Sequence, residues 1–264
     1  MSAGITLARH IKTKSATALP VADLALIMER IELIATRITR ELALASHGGL
    51  GYTGETGALN EHISDAFGIL IKQYSHEQLA RQSDWIIGHG LFTKTVNGRG
   101  LRSMANPGTA YDDPVLGRDP QPAHYNDYVV TDEDNGGVHI NSGIANRAFY
   151  LVASEASRFA WDLTGRIWYM ALTSGLSSKA TFADFAGATI AAAAHICGRF
   201  GRVHRLVIDA WAAVGVVPTR PGEQVLRLKV PPPLTREAFR ERRFWRQRRG
   251  GDRGPAGLQH QTTS

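Results

Sequence analysis

Apolar positions spaced three and four residues apart run through most of this chain, and they predict a mainly α protein. Leu24, Ile27, Ile31, Ile34, Ile38 and Leu42 share one stripe between Leu19 and Ser46, with Pro20 in its first turn, which predicts one long amphipathic helix. Leu59, Ile63, Phe67 and Leu70 form a second stripe after Gly57. A third carries Ile144, Phe149 and Val152 behind a cap at Ser142, and a fourth opens at Thr164 and runs through Trp168 and Leu172. Thr181 begins an Ala-rich run to Arg199, and Val203 to Val214 forms the last helix. The small side chains of Ala191 to Ala194 suit close packing, with Phe182, Phe185 and Ile196 filling the interface.

Beyond Val216 the pattern fails. Residues 217–264 hold 11 Lys and Arg against 4 Asp and Glu, so the net charge of +6 belongs to this tail and not to the helical part. Its Pro, Gly and Arg content buries too little apolar surface to offset the entropy of ordering, which predicts a largely disordered segment. A short strand at Val225 to Val230 and a helix near Leu234 to Arg248 are the order it could hold. Arg240, Arg242, Arg243, Arg246, Arg248 and Arg249 surround Phe244 and Trp245, a grouping able to meet phosphates and stack on bases. A solvated basic tail is the plainer reading, and nucleic acid is not an expected partner.

The single Cys197 excludes an internal disulfide, and its Ala-rich setting predicts a buried, inert thiol. The first fifteen residues carry basic groups without an apolar core, so no secretory leader is read and the chain as written is expected in the cytoplasm. No apolar run is long enough to span a bilayer, so no membrane partner is expected.

Candidate chemistry centres on Gly57 to Asp65, Gly-Ala-Leu-Asn-Glu-His-Ile-Ser-Asp. A helix there places Glu61 and Asp65 one turn apart beside the apolar stripe. Like charges at that spacing repel by ~0.2–0.5 kcal/mol even when exposed, and partial burial raises the cost unless a cation stands nearby. Either the pair is a solvated helix edge, with His62 or an outside Lys as neighbour, or it serves a site.

A second stretch, Asp134-Asn-Gly-Gly-Val-His139-Ile-Asn-Ser-Gly143, lies downstream, with Leu101-Arg-Ser-Met104 between the two. In this order the three segments closely resemble the C-terminal half of the thermolysin family of neutral zinc metalloendopeptidases, from about Gly51 to Val216. The resemblance implies a multi-helix C-terminal lobe and a peptide or protein substrate cleaved before large hydrophobic residues. By the same resemblance Glu61 would be the third zinc ligand and Asp65 the carboxylate that orients a ligand histidine. Tyr52 and His139 would stabilise the oxyanion, with Asp134 holding His139 in its protonated form. Arg102 would contact a substrate carbonyl oxygen, and Leu101 and Ile87 would line the apolar pocket. Taken singly, a lone Arg102 or His139 is usually an ordinary polar residue, and Asn-Gly-Gly only a turn.

The resemblance also exposes a gap. The family's His-Glu-x-x-His helix would fall at Arg37, Ile38, Thr39, Arg40 and Glu41, which supply neither ligand histidine nor the general-base glutamate. None of the ten histidines begins such a motif elsewhere, and one carboxylate does not hold a catalytic zinc. The boundary near residue 47 is sharp, and a disrupted reading frame or a rearranged chain would each account for it. The family's calcium positions are here Lys72, Ile86 and His89, with only Asp84 retained, so calcium is not expected. Extra residues from Pro107 to Tyr125 predict a surface loop near the cleft. Three segments follow: a non-matching 1–47, a peptidase-like 48–216 and a basic 217–264. Functionally, two readings stand: a zinc metalloendopeptidase fragment, inactive as this chain is written, or a non-catalytic helical domain that binds a peptide or protein.

Overall fold

Residues 49–219 are described by a computed structural model. The helix expected between Leu19 and Ser46, the leader reading of the first fifteen residues, the 1–47 segment and the basic tail from Arg220 on lie outside the described residues.

Among the described residues five α-helices carry the fold. Helix α1 spans Gly54–Ser75 and buries Leu59, Ile63 and Leu70, with Phe67 of the expected stripe only half-buried. Helix α2 spans Asp134–Ala156 and lies along α1. Its Ile144, Phe149 and Val152 are fully enclosed. Helix α3 is Thr164–Leu172, α4 is Phe182–Cys197 and α5 is Arg202–Ala213. The start of α4 is set by a reciprocal cap: Thr181 Oγ1 accepts from the Asp184 N–H at 3.2 Å, and Asp184 Oδ2 accepts from the Thr181 N–H at 2.9 Å.

The expected cap at Ser142 is wrong, because α2 begins at Asp134. Asp134, Asn135, Gly136 and Gly137 have φ of 53°, 53°, 85° and 73°, so the chain turns left-handed before the right-handed helix takes over at Val138. Asp134 performs the capping, its Oδ2 accepting from the His139 N–H at 2.9 Å. Ser142 sits buried in the helix, where its hydroxyl donates to the His139 carbonyl. A Cβ at Gly136 would lie 3.0 Å from the Gly54 nitrogen, so the turn needs glycine both for its hand and for its approach to α1.

The core is aromatic at its centre. Trp168 of α3 stacks on Trp211 of α5 with ring centroids 6.4 Å apart, and Phe149 and Phe185 meet Trp168 edge-on. The one polar atom of Trp211 is satisfied by donation to Thr189 Oγ1 at 2.8 Å. Of the expected run Ala191 to Ala194, the first three are buried and Ala194 is half-buried. Cys197 is only half-buried, contrary to the sequence reading, because it lies in the last turn of α4; burial still pushes its thiol above the ordinary value, with the Arg166 charge opposing.

Two short antiparallel ribbons and two single 3₁₀ turns, Ala80–Gln82 and Tyr125–Asp127, complete the described chain. Strand β1, Ile86–Ile87, pairs with β2, Arg102–Ser103, so that Ile87 stands opposite Arg102. Strand β3, Asp112–Asp113, pairs with β4, Gly117–Arg118, inside the extra loop. That loop is less superficial than expected: Asp119 and Gln121 are buried, because Asp119 accepts from the N–H groups of Gly108, Ala110 and Gln121, while Val115 at the tip is exposed. Among the described residues no helix is long and apolar enough to cross a membrane.

Candidate functional site

Close approach of α1 to the start of α2 brings the chemistry together. A Cβ at Gly57 would lie 2.4 Å from Val138 Cγ1 and 2.8 Å from the Tyr52 carbonyl carbon, so only glycine lets the three segments meet here. Tyr52 then reaches over α1, and its hydroxyl donates to Glu61 Oε1 at 2.5 Å. The other carboxylate oxygen, Oε2, lies 3.5 Å from His139 Nε2, which is itself 3.4 Å from the Tyr52 hydroxyl. Behind the imidazole, Asp134 Oδ1 takes Nδ1 at 2.5 Å. A carboxylate only accepts, so Nδ1 carries a hydrogen.

This arrangement favours the imidazolium. Burial alone would lower the His139 pKa, but the Asp134 hydrogen bond and the charge of Glu61 outweigh both burial and the opposing Arg102 charge, and the value rises above 6.5. The alternative of a solvated helix edge is excluded, since Glu61 and Asp65 are both buried.

The expected cation is Arg102. Its Nε and Nη2 donate to Asp65 Oδ2 and Oδ1 at 2.8 and 2.7 Å, a two-pronged pair set 37 positions apart in sequence. Leu101 and Ile87 stand in the same ribbon, both half-buried, with the Leu101 N–H donating to the Ile87 carbonyl at 2.9 Å. His62 does not neighbour the carboxylates in the way considered from sequence. It is fully buried among core aromatics and linked to Asp65 through Asn146, and burial lowers its pKa to about 4 against the Asn146 hydrogen bond and the Asp65 charge.

Sequence reading missed two residues. Asn146 donates through Nδ2 to Asp65 Oδ2 at 2.8 Å, and its spacing of two helical turns from His139 was a usable signal. Gln121 of the extra loop donates through Nε2 to the His139 carbonyl at 2.8 Å and to Ser142 Oγ at 3.0 Å, which no local pattern announces.

Beside α1, Lys72 Nζ donates to both Asp84 oxygens at 2.7 and 2.9 Å and to the Ile86 carbonyl at 3.3 Å, while His89 Nδ1 lies 2.8 Å from Asp84 Oδ2. Among the described residues no group of three or more His, Cys, Asp or Glu side chains could hold a metal ion. Glu61 is already engaged through both oxygens by Tyr52 and His139, so the described residues do not fit a zinc ion.

Residues 48–216 match the family described as the thermolysin metallopeptidase α-helical domain. An extracellular metalloprotease of Pectobacterium carotovorum subsp. carotovorum is 48% identical over 188 residues, which cover 70% of this chain and 53% of that protein. An extracellular minor metalloprotease of Serratia marcescens is 61% identical over 109 residues, 41% of this chain and 31% of its own length. The solved precursor of protealysin, a metalloproteinase from Serratia proteamaculans, superposes with a TM-score of 0.63 at 47% identity, over 75% of this chain and 57% of its own. The chain thus spans about half the length of the Pectobacterium metalloprotease and of the protealysin precursor. By the extent of the family match and the identity of these relatives, the chain belongs to the thermolysin family of metallopeptidases, within its α-helical domain.

Proposed function

We propose that this chain provides the peptide-binding and oxyanion-stabilising half of a thermolysin-like metalloendopeptidase and does not hydrolyse peptides unaided. The family is zinc-dependent, and its proteases act on peptides or proteins. The observation that carries the reading is the convergence of Tyr52, Glu61 and His139, with Asp134 behind the imidazole and Arg102 fixed on Asp65 nearby. A peptide carbonyl that displaced Glu61 from Tyr52 and His139 would meet a hydroxyl and an imidazole N–H, both donors, the second aligned and kept basic by Asp134. Arg102 would hold the chain beyond that carbonyl, and Leu101 and Ile87 would accept a large apolar side chain.

Zinc, where bound in the family, activates water and polarises the scissile carbonyl. Among the described residues the ligands for it are too few, and Glu61 is spent on Tyr52 and His139. That same engagement favours the second reading, a non-catalytic peptide-binding domain. Calcium is also not bound on this proposal, since the Lys72 ammonium already neutralises Asp84.

Purified full-length chain, incubated with zinc and dialysed, is expected to retain well under one zinc per chain and to leave a fluorogenic peptide with a central Leu or Phe uncut. Stoichiometric zinc with turnover would overturn the claim of inactivity. Calorimetric titration with the same peptide separates the remaining readings: binding that Arg102→Ala weakens supports the cleft, and no binding removes it. Adding calcium or a chelator is expected to move the thermal midpoint by less than about 1 °C, since a ligand stabilises only what it binds.

A further inference from the structure

We propose that Asn146, His62 and Trp168 are positioning residues for Arg102, acting as a one-directional hydrogen-bond relay that runs from the aromatic core to Asp65. Trp168 Nε1 lies 2.8 Å from His62 Nε2, His62 Nδ1 lies 2.8 Å from Asn146 Oδ1, and Asn146 Nδ2 lies 2.8 Å from Asp65 Oδ2. Asp65 then takes the two Arg102 donors. Five side chains from α1, α2, α3 and β2 are joined in one line.

The chemistry of the line allows a single polarity. An indole N–H can only donate, so His62 Nε2 must be the bare, accepting nitrogen and Nδ1 must carry the hydrogen. That hydrogen requires the Asn146 carbonyl oxygen to face His62, which leaves the Asn146 amide N–H to face Asp65. Turning the amide over would set its oxygen against the carboxylate and its NH₂ against the His62 N–H. Both ends would then be like against like, inside a core where none of the groups can turn to water: His62, Asn146 and Trp168 are 0% exposed and Asp65 is 4%.

The ring at the centre is also held mechanically. Phe149, Trp168 and Phe185 lie edge-on to His62 at centroid distances of 6.1, 6.4 and 6.0 Å. Asp65 Oδ2 is thereby pinned by Asn146 from the core side while it receives Arg102 Nε from the other. The orientation of the carboxylate, and with it that of the guanidinium, is set by a tryptophan two side chains removed from Asp65. The relay stands on this geometry alone; its consequence for peptide binding rests on the reading of the cleft given above.

Nitrogen-15 NMR of the full chain tests it. At neutral pH, His62 is expected as the neutral Nδ1–H tautomer, and the Arg102 Nε–H is expected to exchange with solvent at least tenfold more slowly than in a free arginine. Asn146→Leu removes the donor to Asp65 at similar volume and is expected to abolish most of that protection. Trp168→Phe touches neither Asp65 nor Arg102, yet it frees His62 Nε2 to take the hydrogen, so a mixed tautomer and a several-fold faster Arg102 exchange are expected. A purely packing role for Trp168 would leave both signals unchanged. Far-ultraviolet circular dichroism confirms that each variant is folded, and should Asn146→Leu not fold, Trp168→Phe and the wild-type tautomer decide. An Nε2–H tautomer in the wild type, or unchanged Arg102 exchange in a folded variant, overturns the relay. Faster Arg102 exchange with unaltered peptide affinity upholds the relay and instead removes Arg102 from the peptide-binding reading.

Discussion

Arg102 and Asp65 meet with the carboxylate side chain 4% exposed and the guanidinium side chain 19% exposed. Removing the arginine leaves an enclosed charge without its partner, a change that costs about 3–5 kcal/mol in buried pairs, and the residual exposure here places Arg102→Ala near the lower end. The expected outcome is a lower urea midpoint with an unchanged slope, and an Arg102→Ala, Asp65→Ala double variant that loses less than the sum of the two. Gly57→Ala acts through space instead: its Cβ would collide with Val138 and with the Tyr52 backbone, which predicts a loss of about 1–3 kcal/mol in the same assay. The charge balance made the need for a cation near Glu61 and Asp65 legible in the sequence. Which cation would answer it was not legible from charge or spacing alone, because helical spacing reports neighbours three or four positions apart and Arg102 arrives from 37 positions away.

The left-handed turn that opens α2 was the feature that local reading could not see. Asn-Gly-Gly announces a turn, but nothing in a 3.6-residue period says that the turn will be wound backwards and counted into the helix, and so the start was misplaced at Ser142. Helix α4 shows the opposite case, since its Thr181 cap was legible and the partner three residues on is Asp184. Gly137→Ala would put a Cβ at φ 73° and 2.9 Å from Asn141 Nδ2, so destabilisation of at least about 1–2 kcal/mol is expected from the backbone alone. For α4 the test is pH. Burial pushes the Asp184 carboxyl up, but the Thr181 N–H, the Thr181 hydroxyl and the Thr219 hydroxyl outweigh it and leave it below 3.8. A carboxyl with a lower pKa folded than unfolded contributes stability above its unfolded value and loses it as pH falls through the folded one. Asp184→Asn should therefore flatten the acid limb of a stability–pH curve below 3.8 and leave its slope near neutrality unchanged.

The described helices share one core, so Phe149→Ala, which empties a fully enclosed site between α1, α2 and α3, is expected to cost about 3–5 kcal/mol. Tryptophan fluorescence and circular dichroism should report one coincident transition for that core. Helix number and type within it were legible from the apolar stripes, even where the cap at Ser142 was misread; the ion pair of Lys72 with Asp84 was not, since the sequence showed only acids replaced and not what the replacement would touch. The backward turn also makes one part of this protein portable. Asp134 and His139 are joined by backbone over five positions, through a reversal of hand that the intervening glycines permit, so a host helix given the same lead-in would receive an imidazole already oriented by its own carboxylate as a ready-made cassette. Arg102 cannot travel in that way, because its carboxylate is furnished by a separate helix and would have to be rebuilt in any new scaffold.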